Sequence, residues 1–107
     1  MKRYGSIIGV KPERFEEYKK IHSVVWPEVL KTITECNIRN YSIFYKDGLL
    51  FSYFEYIGDD FEKDMKKMSD DPMSQKWDKL CSSMQIPRKT RKEGEWWAFM
   101  HEVFHHD

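Results

Sequence analysis

The stretch NYSIFYKDGLLFSYFEY, Asn40 to Tyr56, decides how this chain folds. Two runs rich in aromatic and β-branched residues flank Asp47-Gly48. That dipeptide accepts positive φ at both centres of a tight turn, so Asn40–Lys46 and Leu49–Tyr56 are expected to pair as a β-hairpin. With a two-residue turn, Tyr41, Ile43 and Tyr45 share a face with Leu50, Ser52 and Phe54. Ser42, Phe44, Phe51, Tyr53 and Glu55 share the other. Both faces carry rings, whereas a solvated face alternates apolar with polar. Both sides of this sheet therefore need cover.

Upstream, Tyr4 to Val10 reads as a strand, with Ile7, Ile8 and Val10 β-branched. Lys11-Pro12-Glu13 opens a helix, with proline near its first position. Phe15, Tyr18, Ile21, His22, Val25, Trp26, Val29, Leu30 and Ile33 recur at three- and four-residue spacing, an amphipathic stripe. Pro27 interrupts it, because proline has no N–H for the preceding turn, and a break near Val25 is expected. Downstream, Gly58-Asp59-Asp60 caps a helix carrying Phe61, Met65 and Met68. Asp71-Pro72 breaks and restarts it, and Trp77, Leu80, Cys81 and Met84 continue the stripe. Gln85 to Gly94 reads as a polar loop containing Arg88, Lys89, Arg91 and Lys92, and Glu95 to Phe104 as the last strand. The order β-α-β-β-α-β over residues 1–107 predicts a single α+β domain of ferredoxin-like type, an antiparallel sheet with its helices on one face. The uncovered face is then expected to meet a second copy about a two-fold axis, a homodimer. A ligand or a different partner is the competing cover.

Composition removes several classes of function. Aromatic residues are 16% and hydrophobic residues 40% of the 107, which excludes wholesale disorder. Lys plus Arg is 18 and Asp plus Glu is 18. This balance argues against a dedicated nucleic-acid binder, which carries a basic excess. No apolar run approaches the ~20 residues that cross a bilayer, and Met1-Lys2-Arg3-Tyr4-Gly5 is not followed by an apolar signal segment. The expectation is a cytoplasmic protein whose Cys36 and Cys81 are reduced core residues.

The chemistry-bearing residues gather on the first helix. Tyr18 and His22 are four apart and share a face, with Trp26 one turn on. An imidazole gives and takes protons near neutral pH; equally, these three can be core residues. Tyr41 opens the second strand towards the same helix. Trp77 can stack on the C–H face of a sugar or pack in the core. Glu55 and Glu102 lie in apolar strands, as site acids or as edge residues reaching water. His101, His105 and His106 lack the helical spacing of a zinc site, so no metal is expected. No phosphate-cradling glycine loop or nucleophile motif is present. Any catalysis would rest on proton transfer and positioning, without a tightly specified cofactor site.

The block Tyr18-Lys-Lys-Ile-His22-Ser-Val-Val-Trp26-Pro27-Glu28 resembles the signature of the L-rhamnose mutarotase family. Asn40-Tyr41-Ser42-Ile43, Leu50-Phe51-Ser52-Tyr53-Phe54-Glu55, Gln75-Lys76-Trp77 and Glu102-Val103-Phe104 are similar to further family blocks in the same order. Gly94-Glu95-Trp96-Trp97-Ala98 resembles a subset that includes L-fucose mutarotases. The resemblance implies a dimeric α/β barrel that interconverts the α and β anomers of a 6-deoxy-L-hexose without a cofactor. It implies His22 as the acid/base residue, with Tyr18, Tyr41 and Trp77 lining the sugar site. Members commonly carry a second tryptophan after Trp77, where this chain has Asp78. A carboxylate there can bond a sugar hydroxyl or point to solvent. The alternatives are a cofactor-independent monooxygenase or haem-handling protein of the same barrel class, or a non-enzymatic ligand-binding module.

Overall fold

A computed structural model describes all 107 residues. Asp47 and Gly48 both adopt positive φ, 51° and 80°. They close a two-residue turn between β2 (Ile38–Lys46) and β3 (Leu49–Tyr56). Phe44 pairs with Phe51 and Ile43 with Ser52, the register expected from the turn. The register shifts between Arg39 and Ser42. Asn40, at φ 51°, takes the left-handed conformation that asparagine tolerates there, and this bulge lets β2 begin at Ile38 rather than Asn40.

β1 (Lys2–Val10) is the central strand and pairs antiparallel with β3 along its length. Its other edge is shared. β4 (Gln85–Ile86) takes Gly9 and Val10, and β5 (Ala98–Met100) takes Gly5 to Ile7. A Cβ on Gly9 would come within 2.9 Å of the Ile86 carbonyl oxygen, so this position needs glycine for β4 to approach. Two expectations are corrected here. Gln85 to Gly94 is not wholly loop, because its first two residues join the sheet. Glu95 to Phe104 is not one strand, because only Ala98 to Met100 find a partner along β1. Past Met100 the chain holds β1 through a side chain alone, Arg3 Nε to Glu102 Oε1 at 3.2 Å.

The predicted breaks fall where the prolines are. The first crossover is a short 3₁₀ turn (Pro12–Arg14), α1 (Phe15–His22) and α2 (Pro27–Glu35). The second is α3 (Phe61–Asp70) and α4 (Pro72–Ser82). Asp60 caps α3 by accepting from Lys63 N, and Asp71 caps α4 by accepting from Ser74 N. All four helices lie on one face of the sheet. The core there is Ile8, Val10 and Leu50 from the strands against Tyr18, Val29, Trp77, Cys81 and Met84. The architecture is the ferredoxin-like α+β arrangement expected from the element order. The opposite face is left bare: Phe44 is 64% exposed, Ile86 47% and Met100 43%. Beyond it, Val103 and Phe104 stand in solvent.

Candidate active site

Between the helices and the β2 end of the sheet lies an open cavity of about 800 Å³. This is within the range of sites that hold small molecules, roughly 300–1,000 Å³. All five residues singled out from the sequence, Tyr18, His22, Tyr41, Trp77 and Asp78, line it. Glu55 and Glu102 do not. Glu55 accepts from Asn40 Nδ2 and the Tyr53 hydroxyl, and Glu102 pairs with Arg3. The C-terminal histidines lie outside the cavity, with His105 bonded to Asp107.

Tyr18 and His22 occupy successive turns of α1, their rings stacked at 4.2 Å between centroids. The helix ends at His22 because Trp26 precedes proline and is extended, with φ −58° and ψ 130°. His22 Nδ1 lies 2.7 Å from the Tyr18 carbonyl oxygen. A carbonyl only accepts, so Nδ1 carries the proton and donates, which leaves Nε2 as the bare nitrogen. Nε2 has no protein partner. Burial pushes the imidazole below its usual value of 6.5, against a smaller upward pull from the carbonyl bond. At neutral pH His22 is therefore a neutral base.

Aromatic rings wall the space around it. Trp77 meets His22 edge-on at 5.1 Å, and Trp26 meets Trp77 in the same way. Tyr41 sits opposite on β2, its ring edge against Phe54 at 5.6 Å. Strand alternation places it there, on the helix side with Ile43 and Tyr45. Tyr41 is 44% exposed because the cavity is open at its mouth. Its phenol is nevertheless pushed up to about 12, by desolvation first and then by Asp78 and Cys81. Asp78 opens onto the same mouth. It has no hydrogen-bond partner in the protein, and desolvation raises its carboxyl. Cys36 and Cys81 are both free and buried. No cluster of three potential metal-ligating side chains occurs, and no helix is long and apolar enough to cross a membrane.

Among the lining residues that the sequence reading did not assign to a site are Gln85, Trp96 and Trp97. Gln85 is 6% exposed on β4. Its Nε2 donates to the Tyr18 hydroxyl at 3.0 Å, and its Oε1 accepts from the Trp96 indole at 2.8 Å. Arg91 lies 5.8 Å from the centre of the Trp96 ring, on the loop that brings it in. The one local signal was a glutamine between two apolar residues, Met84 and Ile86.

A ferredoxin-like subunit with a neutral histidine in an open, aromatic-walled cavity defines a class of small protein suited to acid–base chemistry on a small molecule. The comparisons with known proteins are specific within that class. The L-rhamnose mutarotase family model matches residues 3–106. An L-rhamnose mutarotase of Oceanobacillus iheyensis is 35% identical over 107 residues, covering 100% of both chains. The crystal structure of an L-rhamnose mutarotase from Formosa agariphila superposes with a TM-score of 0.79 at 18% identity, covering 100% of both chains. Tetracenomycin F2 cyclase of Streptomyces glaucescens shares the fold at a TM-score of 0.74 and 15% identity, over 100% of this chain and 98% of that one. The scaffold alone thus does not choose the chemistry. The sequence match does: the chain belongs to the L-rhamnose mutarotase family and is an isomerase that interconverts anomers.

Proposed function

We propose that this protein opens and recloses the pyranose ring of a 6-deoxy-L-hexose, L-rhamnose first and L-fucose second, with no cofactor. The observation that carries the reading is His22, fixed by the Tyr18 carbonyl as a neutral base with Nε2 free beside the cavity. Mutarotation needs a proton removed from the anomeric hydroxyl and one delivered to the ring oxygen. The C1–C2 bond of the open aldehyde then turns, and the ring closes on the other face of the carbonyl. Electron count and composition are unchanged, so proton carriers suffice, worth roughly 10²–10⁴-fold each. His22 Nε2 takes the anomeric proton. Tyr18, Tyr41 and Asp78 offer polar contacts to the sugar, and Trp77 offers a face for its C–H groups. Asp78 replaces half of an aromatic platform with a hydrogen-bonding group, which favours a sugar with a hydroxyl at that side.

The working form is a homodimer in the cytoplasm. The dimer accounts for the bare sheet face with Phe44, Ile86 and Met100, which a second copy covers to close a barrel. The two unpaired thiols suit a reducing compartment. Exchange NMR between the α and β anomers, with L-rhamnose and L-fucose in parallel, tests the activity. Enhancement for neither sugar refutes it. Light scattering at micromolar concentration tests the assembly, with a dimer expected and Phe44→Glu shifting it to monomer.

A further inference from the structure

Gln85 lies between two groups that together fix its orientation. An indole N–H can donate and cannot accept. The Trp96 indole therefore faces Gln85 Oε1, 2.8 Å away, and turns the Nε2 end to the Tyr18 hydroxyl at 3.0 Å. The phenol oxygen accepts that bond. Its own proton has no acceptor within the protein, and Tyr18 borders the same cavity as His22. We infer that Gln85, locked by Trp96, is a positioning residue that holds the Tyr18 hydroxyl as the proton donor to a sugar in the cavity, beside the bare Nε2 of His22 whose ring stacks on it. The inference rests on the mutarotase reading and names its second proton carrier.

The resulting step balances. On opening, the C1–O5 bond breaks, O5 takes the Tyr18 proton, and the proton of O1 passes to His22 Nε2 as C1=O1 forms. On closing, O5 bonds to C1 from the other face and returns its proton to Tyr18, while O1 takes back the proton from His22. Burial keeps the Tyr18 phenol well above its usual range, so its resting form is the protonated one.

Replacing the amide with a carboxylate of the same shape reverses the polarity. In Gln85→Glu both oxygens accept, so the Tyr18 hydroxyl turns away from the sugar to donate to the new side chain. In Gln85→Leu the hydroxyl stays free to face the cavity. Exchange kinetics with L-rhamnose are expected to show kcat falling on the order of tenfold or more in Gln85→Glu. The fall in Gln85→Leu is smaller, KM changes little in either, and Gln85→Glu adds no loss on top of Tyr18→Phe. A role in packing alone predicts the opposite order, because the isosteric variant would then be the milder one. Gln85→Leu slower than Gln85→Glu, or losses that multiply in the double variant, overturns the inference.

Trp96, 42% exposed, supplies a second variant if the buried carboxylate prevents folding. Trp96→Phe frees the amide to flip and is expected to slow kcat in the native background but not in Tyr18→Phe. Equal slowing in both overturns the inference. A native protein that does not accelerate L-rhamnose exchange refutes the mutarotase reading and this inference together. An active native protein indifferent to these changes refutes the inference alone.

Discussion

The two crossovers of this subunit are built alike and used differently. Each is a helix interrupted at a proline, Pro27 in the first and Pro72 in the second. In the second, Asp71 alone ends α3 and begins α4, and its carboxylate accepts the Ser74 N–H at 2.9 Å. In the first, Ser23 to Trp26 separate the helices, Val24 is 77% exposed, and no side chain caps α2. The second break is sealed and the first is open. At the open break the last turn of α1 has no following helix turn over it, and His22 turns back to bond the Tyr18 carbonyl. The sealed break sets the course of α4, which carries Trp77 and Asp78 to the cavity. The same interruption serves chemistry in one crossover and architecture in the other, according to how its ends are satisfied.

This contrast can be broken by experiment, and the largest effect is expected at the open break. His22→Asn keeps an N–H for the Tyr18 carbonyl but removes the base. Anomer exchange should fall on the order of 10²–10⁴-fold with the thermal melt unchanged. A variant that folds and exchanges at the native rate breaks the link between the open break and catalysis.

The pH profile comes next. Burial lowers the His22 pKa below 6.5, so the exchange rate should stay level through neutral pH and fall only below the ordinary histidine range. The same shift acts on stability. Below 6.5 the unfolded chain takes a proton that the folded chain resists, so His22 costs stability as pH falls through that range. A rate midpoint at or above 6.5 would contradict the desolvated site.

At the sealed break, Asp71→Ala removes the α4 cap and should cost about 1 kcal/mol. For a chain of this length that is a drop of roughly 4–8 °C in Tm. Exchange at room temperature should hold. A loss of rate at full stability would mean that the second break is also part of the machinery.

The smallest effect is expected from Asp78→Asn. Exchanging a charged acceptor for a neutral amide should raise KM roughly two- to fivefold. The melt should not fall, because desolvation already opposes the charge at this position. An unchanged KM for both sugars would place Asp78 outside the sugar's contacts.

Which parts of this molecule could be read from the chain alone follows from the range of the interactions. The turn at Asp47-Gly48, the caps at Asp60 and Asp71 and the breaks at both prolines involve neighbours within a few residues. The placing of Tyr18 and His22 on one face follows from helix geometry. Tyr41 and Trp77 were singled out by residue type and position, their roles at a sugar site and Asp78 by the family resemblance, and the fold brings all three to the same cavity. The chain from Gln85 onward was read less well. A strand as short as Gln85–Ile86 carries no periodicity, and β5 ends where β1 stops pairing with it, which no local feature of Glu95 to Phe104 encodes. Trp96 was read as part of a strand, yet it anchors Gln85 from a loop.

By itself the sequence determined the order of the main strands and helices, the hairpin register next to its turn, both helix interruptions and the family, because turn dihedrals, caps and motif spacing are written within a few positions. Only the tertiary structure decided which edge of β1 each late strand takes, where Tyr41 sits relative to His22, and which way the amide of Gln85 faces. Those outcomes join residues such as Tyr18, Gln85 and Trp96, far apart along the chain, and hydrogen-bond polarity between them exists only once folding has brought donor and acceptor together.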